Sequence, residues 1–565
     1  MSLKRSPSAQ VLVIERDLSD AAQTHVAPET AGSCGDDSHV GRQFCAVARA
    51  QGMAPAISTA TETFSYGQLL NGARAVAREL LRQSAFAAGD CVVLLLPNSV
   101  EYVAAFYGVL LAGGVVAPLP AKIESNALGD IIEATECARL ITTSAVMRSR
   151  ADLMSLPRDS MRLFTNSPVN CEAAEIESEP CKSSAGTRTA PGAELAAIFF
   201  TAGSTGSPKG VMLSHGNLLA NARSIQQYLH ITANDRPLCV LPFQHAFGNS
   251  VLQSHILAGA HLVLDGQTMF PETLVDAIRT HACTSFSAVP DLFRMLLDHS
   301  SLGQADLPAL QYMAVAGGAL RRENALDVIR RIAPADFFVM YGQTEATARL
   351  AYIPPRMFAE LPEGCIGRSV PDVTLEIVDE QGIRVPAGEI GELRACGPNV
   401  MLGYWKDPAA TEKCIRDGWL YTGDLAAMDA AGWISLKGRR NALVKIAGFR
   451  VHPAELEEFA VRRLPVSQAV SVAYEAPAVG MRLALYVKAT AAAGPLAVSE
   501  MVARCRAELP RQLVPDLVQI VAEFPLNHAL KIDRPLLSRL AAESAVSRRA
   551  LASNRILSFL PQAKP

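Results

Sequence analysis

Thr201-Ala202-Gly203-Ser204-Thr205-Gly206-Ser207-Pro208-Lys209-Gly210 is the stretch on which the fold and function of this chain turn. Phe199 and Phe200 precede it and a β-branched run resumes at Val211, so it reads as a glycine-rich loop hung between two short strands. Glycines such as Gly206 let backbone N–H groups come close to a ligand. The hydroxyls of Thr201, Ser204 and Thr205 add donors, and Lys209 adds a fixed positive charge. That combination suits polyphosphate oxygens. It is not a Walker A loop, because Lys209 follows Pro208 and precedes Gly210 rather than entering a helix through G-K-[ST]. Taken alone, such a loop is also compatible with a flexible surface turn.

The rest of the chain narrows the choice. At 565 residues it is too long for one core and implies two to four domains. A net charge of −3 without a long basic run argues against nucleic acid as a partner. Twelve cysteines run from Cys34 to Cys505 with no C-x-x-C pair, which argues for reduced thiols and a cytoplasmic location rather than a disulfide framework or a zinc site. The first 40 residues are polar with a short apolar run at 11–14, too short for a signal-peptide core.

The uncharged stretch 102–121 is long enough to span a bilayer, but Gly113-Gly114 interrupts it and Pro118 and Pro120 follow. Asn98 and Glu101 have capping-box spacing ahead of an apolar helical stripe that ends at Gly113, and 115–119 reads as a buried strand. The expectation is therefore helix–turn–strand, with no transmembrane segment; peripheral membrane contact is left open.

From 41 to 438 short apolar strands (91–96, 262–264, 337–340, 375–378) alternate with amphipathic helices such as 271–279, which implies α/β layering with mostly parallel pairing. The stretch 165–194, rich in Ser, Glu, Pro and Thr, reads as an exposed connection. Composition changes at Gly438-Arg439-Arg440-Asn441. Beyond it, helices at 453–464 and 499–509 and strands at 470–474, 483–487 and 517–522 make a compact α+β unit. The expected division is a flexible extension over 1–40, a large α/β domain over 41–438, a hinge over 439–441, a small mobile C-terminal domain over 442–545 and a tail over 546–565.

Five further stretches carry chemistry-bearing residues. His245 lies in Leu241-Pro242-Phe243-Gln244-His245-Ala246-Phe247-Gly248, and Gly317-Gly318 in Val315-Ala316-Gly317-Gly318-Ala319-Leu320. Tyr341-Gly342-Gln343-Thr344-Glu345 follows an apolar strand, and Tyr421-Thr422-Gly423-Asp424-Leu425 follows Trp419. Gly438-Arg439 comes next, with Lys531 late in the chain. Singly these have ordinary explanations: Asp424 as a turn residue, Glu345 as a helix-start carboxylate, Lys531 as a surface lysine, His245 as a buried hydrogen-bonded histidine.

Together and in this order they resemble the adenylate-forming superfamily of acyl-CoA synthetases, acyl-AMP ligases, peptide-synthetase adenylation domains and beetle luciferases. The resemblance runs from Phe64-Ser65-Tyr66-Gly67-Gln68-Leu69 to Lys531. It implies a large adenylation domain plus a small mobile one, with ATP, Mg2+ and CoA (or the phosphopantetheine of a carrier protein) as cofactors. A carboxylic acid would be joined to AMP and then passed to a thiol. A carboxylate attacking an α-phosphate meets charge repulsion, so catalysis has to come from cations, donors and alignment.

The resemblance gives Lys209, Thr201, Ser204, Thr205 and Gly206 the β- and γ-phosphates. Glu345 takes the Mg2+, a hard ion that prefers carboxylate oxygen, and Thr344 the α-phosphate. Tyr341 stacks on adenine over a floor left open by Gly317 and Gly318, Asp424 accepts from the ribose hydroxyls, and Arg439 supports them. Lys531 reaches the oxygens between acid and α-phosphate, where its charge gains value in the transition state. His245 gates the mouth of the acyl pocket, and Gly448 lines the thiol path after the small domain rotates. Family members that activate amino acids carry an aspartate after the gating position. Ala246 stands there in this chain, which points to an aliphatic or aryl acid.

Two departures from the family pattern stand out. Asn441 occupies a hinge position usually held by Asp or Lys, and Leu530 precedes Lys531 where glycine is usual. The resulting expectation is an ATP-dependent acyl-CoA synthetase for a medium- or long-chain fatty acid. The alternatives are an acyl-AMP ligase that loads a carrier protein, and a catalytically degenerate nucleotide- or acyl-binding protein.

Overall fold

The computed structural model describes residues 10–14, 38–83, 85–137, 139–150, 152–153, 161–163, 194–201, 208–440, 444–446, 449–451, 453–476, 480–490, 497–526 and 532–557. The chain divides into two compact units. One comprises Met1–Ile377, Arg394–Thr422 and Met428–Ser435; the other comprises Val378–Leu393, Gly423–Ala427 and Leu436–Pro565.

The first unit is α/β, as the alternating pattern implies. One sheet runs in the order Gly403–Tyr404, Lys209–Ser214, Leu195–Thr201, Val115–Leu119, Cys91–Leu95, Arg139–Thr143, Gln10–Ile14, Met161–Leu163. From Leu195–Thr201 onward every pairing is parallel, and the first two are antiparallel. The middle strands have fully buried runs, as expected where helices cover both faces. In the second sheet six strands pair in parallel, from Pro55–Thr59 through Leu262–Leu264, Pro237–Leu238, Ser285–Ala288 and Tyr312–Val315 to Asp336–Tyr341. Ala351–Ile353 and Cys365–Ser369 then continue it antiparallel.

Two expectations are corrected here. Gln10–Ile14, placed in a flexible extension, forms a strand in register with Arg139–Thr143. The helix Val100–Leu111 is capped by Ser99, whose side chain accepts from the Tyr102 N–H, not by Asn98. Asn98 instead clamps a distant segment, donating to the Leu241 carbonyl at 2.8 Å and accepting from the Phe243 N–H at 2.9 Å. The helix has twelve residues and the strand Val115–Leu119 follows it. Among the described residues no helix is long and apolar enough to cross a membrane.

The second unit contains a three-stranded sheet in the order Val466–Ala476, Gly480–Ala489, Leu517–Ile520. Alternate side chains serve its two faces, as a pleated strand requires. Leu483, Leu485 and Val487 pack with Leu456, Met501 and Cys505 of the helices Pro453–Arg463 and Val498–Glu508. Ala484 and Tyr486 pack with Leu537 and Ala541 of Arg534–Leu557. Arg534 pins that last helix, pairing with Glu457 and donating to the Ser471 carbonyl. The helix runs on to Leu557, through the point where a tail was expected to start. The connection expected at 165–194 falls almost wholly outside the described residues, as does the hinge residue Asn441.

Candidate active site

The glycine-rich stretch lies where the sequence placed it. Leu195–Thr201 and Lys209–Ser214 form an antiparallel hairpin with Thr201 opposite Lys209. Ser204, Thr205 and Gly206, which fall between these strands in sequence, lie outside the described residues. Lys209 begins the returning strand, and its Nζ sits 4.9 Å from the centre of the Tyr404 ring, a cation–π contact. Tyr404 is held there because its short strand pairs with the same hairpin, Tyr404 opposite Val211. Its hydroxyl donates to Glu345 Oε1 at 2.8 Å. Burial first, then the Glu345 charge, push the Tyr404 phenol far above its ordinary range, so it stays a neutral donor. The same two causes push the nearby Cys414 thiol up to about 11.

Glu345 is carried by a turn whose shape explains its sequence. The strand Asp336–Tyr341 ends in a 3-10 turn over Thr344–Ala346, and the chain doubles back so that Tyr341 lies opposite Ala351. Gly342 is required there, since a Cβ would meet the Ala348 carbonyl oxygen at 1.9 Å. Thr347 and Ala348 have φ of 53° and 92° and complete the reversal. Asn399 fastens the turn, donating to the carbonyls of Ala346 and Arg349, and the Met401 N–H donates to the Glu345 carbonyl. Thr344 and Glu345 are thus set at the end of a strand rather than on a mobile loop.

The expected adenine elements meet at the same edge. Tyr312–Val315 and Asp336–Tyr341 are parallel neighbours, with Val315 opposite Val339. Two residues further on, Gly317 lies just past the carboxyl end of its strand and Tyr341 is the last residue of its own, at the end where open α/β sheets bind ligands. Gly317 has φ of 89°, so backbone conformation, and not only an open floor, calls for glycine. At Gly318 a Cβ would make only ordinary contact with Pro290.

His245 occupies the N-cap position of the helix Ala246–Ile256; its N–H donates to the Pro242 carbonyl and its own carbonyl accepts from Asn249. Two residues on, the Phe247 ring faces a side chain that the sequence reading passed over. The Arg349 guanidinium lies 4.3 Å from the ring centre and is 1% exposed. Its Nε and Nη1 have no hydrogen-bond acceptor among the described residues.

In the second unit Asp424 is buried, follows Gly423 at φ 75°, and accepts from Arg439 Nε at 2.9 Å. Arg439 is itself two-thirds exposed. Glu392 builds a parallel arrangement beside it, accepting from Arg440 Nη1 at 2.6 Å and from the Gly423 N–H at 3.2 Å. Glu392 and Arg440 were missed in sequence; a lone glutamate between Ile390 and Leu393 was the available signal. Gly448, Leu530 and Lys531 lie outside the described residues.

The donor set suits magnesium held jointly with a substrate. Among the described residues no cluster of three or more His, Cys, Asp or Glu is present that could cage a metal alone. Glu345, held by a neutral hydroxyl, offers one carboxylate, and this ion is usually bound by one or two carboxylates plus substrate phosphates.

Known proteins resemble the chain over most of its length. A family model described as AMP-binding enzyme matches residues 44–405. A long-chain-fatty-acid–CoA ligase from Salmonella typhimurium is 28% identical over 521 residues, spanning 85% of this chain and 90% of that protein. A 3-[(3aS,4S,7aS)-7a-methyl-1,5-dioxo-octahydro-1H-inden-4-yl]propanoyl:CoA ligase from Mycobacterium tuberculosis is 30% identical over 479 residues, spanning 80% and 89%. The crystal structure of ATP-bound MatB from Rhodopseudomonas palustris superposes with a TM-score of 0.74 at 23% identity, over 89% of this chain and 99% of that one, which speaks to the fold.

Proposed function

Because this chain belongs to the AMP-binding enzyme family, we propose that it joins a fatty acid of medium or long chain to AMP and then transfers the acyl group to CoA. The chain is an AMP-forming acid–thiol ligase. In the first half-reaction a carboxylate oxygen attacks the α-phosphorus of ATP and pyrophosphate leaves. In the second a thiol sulfur attacks the acyl carbonyl carbon, AMP leaves and the thiol gives up its proton.

The observation that carries the assignment of roles is the connected set Lys209–Tyr404–Glu345 at the end of the hairpin and strand. Lys209, with Thr201, Ser204, Thr205 and Gly206, neutralises the pyrophosphate as it departs, and Thr344 donates to the α-phosphate. Tyr404 acts as a positioning residue that aims Glu345. Magnesium, when bound by Glu345 and phosphate oxygens, supplies charge neutralisation to the triphosphate. Tyr341, Gly317 and Gly318 take the adenine and Asp424 with Arg439 the ribose, while His245 gates the acid. Lys531 supplies the cation for the first half-reaction and Gly448 the thiol path for the second.

Two relatives are named for CoA ligation of a long-chain fatty acid and of a dioxo-ring propanoate, so CoA is the acceptor of choice. The test is to incubate the purified protein with ATP, Mg2+, an alkanoate series and either CoA or a phosphopantetheinylated carrier protein. Acyl-CoA and AMP, identified by mass spectrometry, are expected; acyl-carrier without acyl-CoA would move the acceptor to a carrier. Lys531→Ala should suppress adenylation and leave thioester formation from supplied acyl-adenylate much less affected. Equal loss in both halves would remove the role given to Lys531.

A further inference from the structure

We propose that Arg349 anchors an oxygen-bearing group on the acyl part of the substrate, so that this enzyme selects acids with a hydrogen-bond acceptor away from the carboxyl that is activated. The proposal rests on the acid-activating function above and names the class of acid within it.

A guanidinium does not shed its proton in a protein, so burial cannot be relieved by neutralisation. Taking one out of water costs several kcal/mol and is normally offset by a carboxylate or by a full set of acceptors. Arg349 is among the most completely buried large side chains of the chain, and burial is the first cause that lowers its proton affinity. No carboxylate is paired with it among the described residues. The groups around it are Phe247, Tyr228, Tyr312 and His255, and Asp235 acts on the last two.

Each of these is either neutral or already engaged. The Asp235 carboxylate accepts from the Thr232 N–H at 2.7 Å, the Thr232 hydroxyl at 3.2 Å and the Thr284 hydroxyl at 3.0 Å. Burial pulls His255 down to about 4, so it is neutral; its Nδ1–H donates to the Val251 carbonyl and its Nε2 faces the Tyr312 hydroxyl at 3.4 Å. Tyr228 offers its oxygen to Arg349 and donates its proton to Met340 Sδ at 3.1 Å. Phe247 offers only a ring face. Nε and Nη1 of Arg349 are left as donors without acceptors. The helix that carries Phe247 adds two more buried amide nitrogens in the same condition, Asn249 Nδ2 and Gln253 Nε2. Buried acceptors without a donor occur near the same segments, Gln244 Oε1 and Asn399 Oδ1, but among the described residues neither reaches the guanidinium, whose Nε and Nη1 are left for an acceptor from outside the chain.

Its place in the chain says which ligand would bring one. Arg349 follows the Thr344–Ala346 turn across the left-handed pair Thr347 and Ala348, while its ring partner Phe247 follows His245 by two residues. Arg349 is thus tied by its chain to the segment assigned to the reacting phosphate and by its ring contact to the one assigned to the mouth of the acyl site. An acid whose carboxyl is activated at Thr344 and Lys209 would lay its chain toward Arg349. A plain alkyl chain there leaves the donors unsatisfied; a second carboxylate or an oxo group satisfies them. A charge-assisted hydrogen bond of this kind, absent in the analogue, separates the two substrates by about tenfold to a hundredfold.

The experiment compares kcat/KM for pyrophosphate release with length-matched alkanoates, oxoalkanoates and α,ω-dicarboxylates. At the preferred length an oxygenated acid should exceed the alkanoate by at least about tenfold. A dicarboxylate ahead of the oxo acid identifies charge as what is read, and the reverse order identifies a neutral acceptor. Arg349→Met should erase the preference, losing turnover of the oxygenated acid while keeping that of the alkanoate. Arg349→Lys, which keeps the charge and loses the planar donors, serves if the methionine variant does not fold. An alkanoate preferred at every length, or equal loss toward all acids in the variants, overturns the proposal. Thermal stabilisation by the same acids without ATP reads the anchor independently of turnover. If no acid releases pyrophosphate, the functional assignment fails, and the order of stabilisation still decides the role of Arg349.

Discussion

Two carboxylates of this chain are held in opposite ways. Glu345, in the first unit, takes its side-chain hydrogen bond from the neutral hydroxyl of Tyr404, while Asp424, in the second, accepts from the guanidinium of Arg439. A neutral partner fixes direction and leaves the full negative charge available to a cation. A cationic partner offsets much of that charge and leaves oxygens suited to accepting from hydroxyls. The difference fits the magnesium role proposed for the first and the ribose role proposed for the second, a distinction that residue type does not make, since Asp and Glu are interchangeable on paper for either task.

Substitutions that invert each arrangement test this contrast. The largest effect is expected for Glu345→Gln, which keeps the shape and the hydrogen bond from Tyr404 but removes the charge. Adenylation, followed as pyrophosphate release, should fall about 10²–10³-fold, in line with loss of one electrostatic contact to the reacting group, with a higher magnesium requirement. Asp424→Asn should raise the KM for ATP about 10–100-fold and leave the magnesium dependence where it was. If the two variants shift magnesium dependence alike, the contrast is broken. Tyr404→Phe removes the aim but not the charge of Glu345, and a loss of about threefold to tenfold is expected from one neutral hydrogen bond.

The smallest effect near neutral pH concerns stability. Burial pulls His215 down to about 2 and His255 to about 4, so both are neutral when folded and take up a proton on unfolding below about 6.5. The unfolded state then binds more protons, so stability rises with pH. Each histidine costs about 0.4 kcal/mol at pH 6.5, about 1.4 kcal/mol in total at pH 5.5 and about 1.4 kcal/mol more per pH unit below that, for His255 as far as about pH 4. Urea midpoints from pH 8 to 5 should show a plateau above 7 and a decline below it. A midpoint unchanged at pH 5 would mean that these rings are not buried as described.

Much of the architecture was legible because it is written locally. The strand Val115–Leu119, the strand Leu262–Leu264 and the hairpin around the glycine-rich stretch follow from apolar runs bounded by Gly and Pro. Where the cap of Val100–Leu111 was misplaced, Asn98 and Ser99 are equally good cap residues, and a tertiary partner 143 positions away claimed the first. The strand Gln10–Ile14 showed only as a short apolar run at 11–14 and was not read as a strand for a similar reason, since its partner Arg139–Thr143 is more than a hundred positions away.

Around the candidate site, sequence reading named residues carried by ordered motifs and passed over Tyr404, Glu392, Arg440 and Arg349. Each acquires its meaning from a partner far along the chain, such as Glu345, 59 positions from Tyr404. An arginine in sequence reads as surface, and only the fold reveals one at 1% exposure.

The most direct measurement is exchange of labelled pyrophosphate into ATP by the intact protein, with magnesium and a carboxylic acid but no thiol acceptor. Reversible formation of the acyl-adenylate requires label to enter ATP, in proportion to acid and abolished when acid is omitted. Label that stays out of ATP across the acid series, with the protein folded and magnesium saturating, would contradict acid adenylation outright.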